Sequence, residues 1–180
     1  MLKVDVQMDM ASLTRALNAI ERDAIRPAAV QALNRVARTV KSRAVKAISA
    51  ETGMKQASIR DLIAIRQATK LGLIAEVSAS RHAPNLIHYS ARQTKRGVSA
   101  SAWRKRKVYK GTFIANKGRT VFRRVGKGRL PIKPVFGPSL PRTFINKTTH
   151  AVMTRTINER FPVEFNAALI NQLRRRGLRA

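Results

Sequence analysis

Lysine and arginine are the residues of this chain whose types and spacing could do chemistry, and that chemistry is the binding of anions. Residues 103–110 interleave aromatic rings with cations, in the order Trp103-Arg104-Lys105-Arg106-Lys107-Val108-Tyr109-Lys110. Such side chains contact phosphate oxygens and fix a protein on a nucleic acid backbone. The candidate site comprises twelve of the cations between residues 92 and 129: Arg92, Lys95, Arg96, Arg104, Lys105, Arg106, Lys107, Lys110, Arg123, Arg124, Lys127 and Arg129.

Acidic residues are absent from the middle of the chain. Residues 77–158 contain 19 Lys and Arg but no Asp or Glu, and the whole chain has 37 basic and 9 acidic residues, a formal charge of +28. Self-repulsion of this size destabilises a compact domain unless an anionic partner lies beside it. The alternative is a solvated run of charge, and the complete absence of carboxylates favours a partner. The pattern does not distinguish nucleic acid from an acidic protein surface.

Residues suited to catalysis or metal binding are few. His82, His88 and His150 lack metal-ligand spacing, and His88 falls within a predicted strand, where a structural role is expected. The segment Gly126-Lys127-Gly128 lacks the spacing of a phosphate-binding loop, and the chain has no Cys. We therefore predict no catalytic residue, no metal, no cofactor and no enzymatic activity.

Length and composition indicate a folded chain. The 180 residues suffice for a single domain with a core, and a hydrophobic content of 44% is ordinary for globular proteins. No apolar run approaches the roughly 20 residues that cross a bilayer, and the N-terminus lacks the apolar region of a signal peptide. We expect a soluble protein made in the cytoplasm, with no membrane partner.

The N-terminal third predicts helices. Residues 2–8 alternate like a short strand, and Ser12 can cap a helix that reaches Ala24. A long helix is predicted from Pro27 to about Ala50, with Gly53 as its stop and a short helix at 55–62. Its predicted buried stripe is Val30, Leu33, Ala37, Val40, Ala44 and Ile48, and its opposite face is Gln31, Arg35, Arg38, Ser42 and Lys46.

The middle predicts strands at 71–77, 86–91, 103–109, 112–116 and 120–125, with 63–67 forming a hairpin with the first of them. Basic turns are expected at 92–97 and 117–119. In a strand over 103–109, Lys105 and Lys107 share a face with the two aromatic residues and Arg106 lies on the other face. A strand that is charged on both faces is expected at an edge or an interface.

The last third combines an extended segment with a helix. Residues 130–138 contain too many prolines for a helix or a central strand, so we expect an edge segment or an ordered loop. From Pro141 the pattern is helical, and Pro162 is expected to break or kink that helix. The fold class is therefore α+β, one domain over residues 1–180. Its parts are an N-terminal strand and helix (1–26), two helices (27–62), a basic β region (63–129), a Pro-rich segment (130–141) and a C-terminal helix with a basic tail (142–180).

The segment from Ile48 to Leu62 allows a second interpretation. Gly53 at a turn between two helices is a pattern of helix-turn-helix repressors, whose second helix enters the major groove of DNA. Any two helices joined at a glycine can produce the same pattern. The alternative to a structural protein is thus a free nucleic-acid-binding protein, either sequence-independent or of the helix-turn-helix type.

Four segments together resemble the minor tail protein Z family of tailed bacteriophages and prophages, over roughly residues 30–150. These are Ala50-Glu51-Thr52-Gly53, Ala91-Arg92-Gln93-Thr94-Lys95-Arg96-Gly97-Val98-Ser99-Ala100, Trp103-x-Lys105-Arg106-Lys107-Val108-Tyr109 and Leu130-Pro131-Ile132-x-x-x-Phe136-Gly137-Pro138-Ser139-Leu140-Pro141. The resemblance implies a structural protein of the virion, a tail-completion component at the head-proximal end (the neck) of the tail, with no catalytic residues.

The resemblance also implies partners. A ring of copies, matching the six-fold symmetry of the tail tube, would join tail to head and hold the end of the packaged double-stranded DNA or of the tape-measure protein. Tail-tube, tail-terminator and head–tail connector proteins would be its neighbours. We expect the Pro-rich segment to fix a loop that docks on such a neighbour through Pro131, Pro134, Phe136, Pro138 and Pro141.

The number of charges in such a ring suggests that its cations contact more than one partner. A globule of this size is about 40 Å across, and duplex DNA over that height presents roughly 24 phosphates. Six copies of a chain of charge +28 carry about 168 positive charges. DNA could neutralise only a minority of them, so we expect part of the candidate site to line a channel and the rest to meet acidic neighbours or solvent.

Overall fold

Two long helices and three small antiparallel sheets make up the chain in the structure, a computed structural model that describes residues 18–177. The helices are α1 (Arg26–Thr52), α2 (Gln56–Asp61), α3 (Leu140–Phe144) and α4 (Lys147–Arg174), with a π-helical turn at Glu21–Ile25 and a 3₁₀ turn at Leu86–His88. The strands are β1 (Ile63–Arg66), β2 (Glu76–Ala79), β3 (Arg92–Thr94), β4 (Gly97–Ala102), β5 (Lys105–Lys110), β6 (Thr112–Ala115), β7 (Thr120–Arg124) and β8 (Ile132–Pro134). The α+β class is confirmed, while the predicted strand at 2–8 and the helix start at Ser12 lie outside the described residues.

Helix α1 forms as predicted, because its apolar residues recur at helical spacing and Gly53 ends it. Gly53 adopts φ +74, and its N–H donates to the Ser49 carbonyl. The buried stripe is made largely of small residues, so the partner helix can approach closely. It consists of Ala28, Ala32, Val36, Ala37, Val40, Ala44, Val45, Ile48 and Thr52. Val30 and Leu33 from the predicted stripe are only half-buried.

Helix α4 packs antiparallel on α1, and ion pairs line the seam. Arg43 Nη1 lies 3.3 Å from Glu159 Oε2, and Arg35 Nη1 lies 3.4 Å from Glu164 Oε2. Two of the few carboxylates are thus used between the helices. A break or kink was predicted at Pro162, and the break is wrong, since α4 continues through this residue. The two ion pairs hold the helix on both sides of Pro162, and Pro162 is exposed, so water can satisfy the carbonyl that loses its partner.

The three sheets have the orders β1-β2, β3-β4-β5 and β6-β7-β8. The hairpin of 63–66 is confirmed, but its second strand begins only at Glu76, because residues 67–75 form a loop in which Thr69 N–H donates to the Gly72 carbonyl. The predicted strand at 86–91 is wrong. There the Asn85 side chain accepts from Ile87 N–H at 3.0 Å and starts the 3₁₀ turn instead. The Pro-rich segment supplies β8, an edge strand as expected.

The basic hairpin β4–β5 differs from the prediction at both ends. Residues 92–97 are not all turn, because only Lys95 and Arg96 connect β3 to β4. Trp103 is not in a strand, because Trp103 and Arg104 form the two-residue turn, with φ of 54 and 56. Positive φ at both positions defines a type I′ turn, which matches the twist of a hairpin. Strand β5 is charged on both exposed faces and lies at a sheet edge, as predicted.

The core lies where the C-terminal half of α1 and helix α2 meet β4 and the 3₁₀ turn. Its largest buried members are Ile48, Met54, Ile59, Ile63, Leu86 and Tyr89. The tip of the basic hairpin is fixed to this core, since Trp103 N–H donates to the Thr52 carbonyl at 2.9 Å. The C-terminal end of α1 therefore positions one end of β5.

A glycine at position 104 should stabilise the chain. The exposed Arg104 adopts φ 56, which costs a non-glycine residue about 1–2 kcal/mol. Glycine removes that cost but loses more entropy on folding, so Arg104→Gly should raise the free energy of unfolding by about 0.5–1 kcal/mol. Urea unfolding measures it. Arg104→Ala removes the same charge and keeps the strained φ, so an equal gain from both variants would contradict the explanation.

Candidate polyanion-binding surface

The structure brings five of the twelve predicted cations into one cleft of about 490 Å³. Lys95 and Arg96 come from the β3–β4 turn, whereas Arg123, Arg124 and Lys127 come from β7 and the residues after it. None of the described residues that line the cleft is Asp or Glu. We call this feature the basic cleft. It joins predicted cations from two separate sheets in one place.

Hydrogen bonds between two sheets set the width of the basic cleft. Ile114 N–H of β6 donates to Gln93 Oε1 of β3 at 2.9 Å. Thr112 Oγ1 accepts from Val98 N–H at 3.0 Å and donates to the Tyr109 carbonyl at 2.6 Å. The turn that carries Lys95 and Arg96 is thereby held against the strand that pairs with β7. No motif in the sequence marks Gln93 and Thr112 as site residues, and only the alternation around Thr112 indicates that its side chain points inward.

Close backbone contact fixes the near wall of the basic cleft. Gly97 has φ +141, and a Cβ built there would lie 2.1 Å from the Tyr109 carbonyl oxygen. Only glycine fits this position, directly after Lys95 and Arg96. On the far wall, the Arg124 guanidinium lies 5.4 Å from the centre of the Phe113 ring, within the range of a cation–π contact. Lys95 and Arg96 therefore extend from tightly packed backbone, and Arg124 contacts an aromatic ring.

The remaining seven predicted cations are exposed but lie outside the basic cleft. Four of them are on β5, where Arg106 donates to Ser99 Oγ at 3.2 Å and the Lys107 ammonium lies 5.4 Å from the centre of the Tyr109 ring. Lys110, at the end of β5, precedes Gly111 and Thr112, which line the cleft. The others are at the hairpin tip, on β3 and beyond β7. The seven are Arg92, Arg104, Lys105, Arg106, Lys107, Lys110 and Arg129.

The predicted docking segment is divided between buried and exposed residues. Pro138 is buried and its carbonyl accepts from the Tyr89 hydroxyl at 3.1 Å, and Pro141 is half-buried. These two prolines hold the segment in place rather than presenting a free face. Pro131, Pro134 and Phe136 are exposed, Phe136 to 55%. Of the five predicted docking residues, these three are the ones that a neighbour can reach.

His88 is a structural residue at the end of the 3₁₀ turn. Its Nδ1 lies 3.0 Å from Ser58 Oγ of α2, so the ring links two parts of the core. Burial lowers the pKa of His88 below 6.5, the neighbouring Lys55 lowers it further, and Asp61 partly opposes the shift. The folded state therefore favours the neutral form of the His88 imidazole.

The lowered pKa of His88 predicts how stability depends on pH. The unfolded chain binds this proton more tightly, so the contribution of His88 is complete above the ordinary pKa of 6.5 and is lost as pH falls below it. His88→Asn should flatten the decline in the free energy of unfolding between roughly pH 7 and pH 5. His82→Asn, at an exposed histidine, is the control. An NMR titration midpoint of His88 above 6.5 would contradict the assignment.

Other kinds of site are not found in the part of the chain from residue 18 to residue 177. That part holds no group of three His, Cys, Asp or Glu residues that could bind a metal ion. Nor does it contain a helix with the length and apolar character needed to cross a membrane. The feature of the fold that can bind a partner is the set of cations in the basic cleft, and that partner would be an anion.

Comparison with known proteins assigns the chain to a family. The family model of prophage minor tail protein Z (GPZ) matches residues 10–178, nearly the whole sequence. The chain belongs to the prophage minor tail protein Z family. This confirms the resemblance seen in four segments and extends it to both ends of the chain. No curated protein and no solved structure matches it.

Membership of the minor tail protein Z family places the chain among the structural proteins of the phage tail. The virion tail is therefore where the protein belongs, together with the other components of the tail. The basic cleft and β5 are the two basic features of this minor tail protein, and the fold does not identify what binds to either of them.

Proposed function

We propose that this minor tail protein completes the tail at its head-proximal end and contacts the packaged double-stranded DNA through the basic cleft. The observation that carries the proposal is the convergence of Lys95, Arg96, Arg123, Arg124 and Lys127 on one cleft without a carboxylate. Phosphates are the anions that such a set suits, because each cation can replace a condensed counterion. The role is structural, and no catalytic step is part of it.

Copies of the chain are proposed to form a ring, with six-fold symmetry to match the tail tube. The ring would join tail to head and hold the end of the DNA or of the tape-measure protein. Its neighbours would be tail-tube, tail-terminator and head–tail connector proteins. The charge of +28 supports this arrangement, because copies would repel one another unless anions lie between or inside them.

A free repressor of the helix-turn-helix type has less support. Helix α2 does follow α1 after Gly53, but it has six residues and its Ile59 is completely buried in the core. A recognition helix needs several side chains free to reach base edges in the major groove. The family membership also favours a virion protein over a free regulator.

Binding of the purified protein to duplex DNA tests the proposed contact. The affinity for fluorescent duplexes of unrelated sequence should be equal, and its logarithm should fall linearly with the logarithm of salt concentration, with a slope near −0.9 per phosphate contacted. Five cleft cations predict a slope of about −4 or steeper. A strong preference for one sequence would favour the repressor, and a flat salt dependence would contradict the phosphate contact.

A further inference from the structure

The outer edge of β5 carries backbone hydrogen-bonding groups that no described strand pairs. In the sheet β3-β4-β5, β5 lies at the end, and β4 is its only strand partner among residues 18–177. Five of the six side chains of β5 are exposed, and Tyr109 is half-buried. An edge six residues long is long enough to accept another strand.

The register of the hairpin shows which groups point outward. In a hairpin with a two-residue turn, the residues that flank the turn form a hydrogen-bonded pair, here Ala102 and Lys105. Alternate residues of β5 from Lys105 therefore bond to β4. In this register the Ser101 N–H points away from β5. It does so in the structure, where it donates to the Tyr89 carbonyl on the other side of β4. The residues whose N–H and C=O groups point away from β4 are Arg106, Val108 and Lys110.

The charge on β5 determines what can pair with that edge. Cationic side chains lie on both faces, with Lys105 and Lys107 on one and Arg106 and Lys110 on the other. A second copy of β5 would place like charges directly opposite one another, which is how natural sheets prevent self-pairing. The neighbouring stretch 77–158 offers no carboxylate to neutralise these cations. The complementary strand must therefore be acidic, and the strands among residues 18–177 contain only one carboxylate, Glu76.

Backbone chemistry favours a polypeptide over DNA at this edge. The free groups alternate between N–H donors and C=O acceptors. A phosphodiester backbone offers acceptor oxygens but no donors, so it would repel the edge carbonyls. An extended peptide provides donors and acceptors at the same spacing as the edge. The exposed Val108 and Trp103, 44% and 47% accessible, add apolar contacts beside it.

We propose that the free edge of β5 binds an extended acidic segment of another tail protein, which adds to β3-β4-β5 as a fourth strand. Acidic side chains on both faces of the added strand would meet the four cations of β5. The backbone ladder at Arg106, Val108 and Lys110 would fix its register. This contact is separate from the basic cleft and does not depend on DNA binding there.

Hydrogen exchange on the isotopically labelled full-length chain tests the proposal. The probe is a capped eight-residue peptide of sequence Glu-Glu-Val-Val-Glu-Glu-Val-Val, which places glutamates on both faces of a strand. Its binding should slow exchange of the Arg106, Val108 and Lys110 amides by about tenfold or more, because they become ladder donors. The amides of Lys105, Lys107 and Tyr109, already paired to β4, should change little. This alternation is a signature that a purely ionic contact would not produce.

Two comparisons distinguish strand addition from charge attraction. A fully N-methylated peptide of equal charge should bind about tenfold more weakly or worse, since it has no amide donors. Val108→Pro removes one outward N–H at an edge position that tolerates proline, and should weaken the unmodified peptide relative to Val108→Ala. If Val108→Pro does not fold, the peptide pair on the native chain decides the question.

Three results would overturn the proposal. One is binding of the peptide without protection of the three outward amides. Another is equal affinity of the N-methylated and unmodified peptides. The third is the same alternate protection with a DNA duplex, which would assign the edge to nucleic acid. None of these results bears on the basic cleft, whose test is the salt dependence of duplex binding.

Discussion

Reversing three charges in the basic cleft should abolish duplex binding while leaving the chain folded. The variant combines Arg96→Glu, Arg123→Glu and Lys127→Glu, all exposed residues of the cleft. Losing three phosphate contacts costs about a hundredfold in affinity at 0.15 M salt, and repulsion by the new carboxylates adds to it. Arg124 is left intact because its guanidinium contacts the Phe113 ring. Fluorescence anisotropy with a labelled duplex measures the loss.

The control removes the same charge elsewhere. Arg38→Glu, Lys46→Glu and Arg175→Glu alter exposed residues of α1 and of the end of α4, far along the chain from the cleft. This variant should retain most of the affinity. Phage particles that carry the cleft variant should be defective in infectivity, and those with the control should not. Equal effects of both variants would show that total charge matters and the basic cleft does not.

The largest effect on stability is expected at Tyr89. Its side chain is 1% exposed, its hydroxyl donates to the Pro138 carbonyl, and its ring fills the space beside Gly137. Tyr89→Ala should lower the free energy of unfolding by about 3–5 kcal/mol, as for other buried aromatic residues. Tyr89→Phe keeps the ring and leaves the Pro138 carbonyl without its donor, so it should cost only about 1 kcal/mol. Urea unfolding of the three proteins measures both changes.

Gly137 provides an independent check of the same contact. A Cβ at Gly137 would lie 2.2 Å from Tyr89 Cε2, and the buried, hydrogen-bonded ring cannot move away easily. Gly137→Ala should therefore cost about 1–3 kcal/mol through overpacking. In the background of Tyr89→Ala the added methyl group has room, so the double variant should be more stable than the sum of the two single changes implies. Strict additivity would mean that the two residues do not touch.

The basic strands were predictable because their charge pattern is local. Residues 105–110, 112–115 and 120–124 alternate or are bounded by glycine, and each formed a strand close to its expected limits. Strand β4 was missed because Gly97-Val98-Ser99-Ala100-Ser101-Ala102 is rich in residues with low strand propensity. It is a strand because it lies between β3 and β5, and small side chains fit its buried position. That reason is tertiary and is not present in the segment itself.

The candidate site was predictable as a list of cations but not as a cleft. Lys95 and Arg123 are separated by 27 residues, and their proximity depends on the contacts of Gln93 and Thr112 between two sheets. No local pattern encodes that pairing. Charge alone likewise could not separate the cations of β5, which lie on an open strand edge, from those of the basic cleft. The structure divides them, and we assign the two groups to different partners.

Reconstruction of the neck of phage particles by cryo-electron microscopy tests the central claim most directly, namely that the basic cleft holds packaged DNA at the head-proximal end of the tail. The particles should carry the native chain and be reconstructed under six-fold symmetry. The account predicts a ring of this protein in which Lys95, Arg96, Arg123, Arg124 and Lys127 face DNA density in the channel. A ring whose basic cleft faces solvent or protein, or particles that lack the protein at the neck, would contradict it.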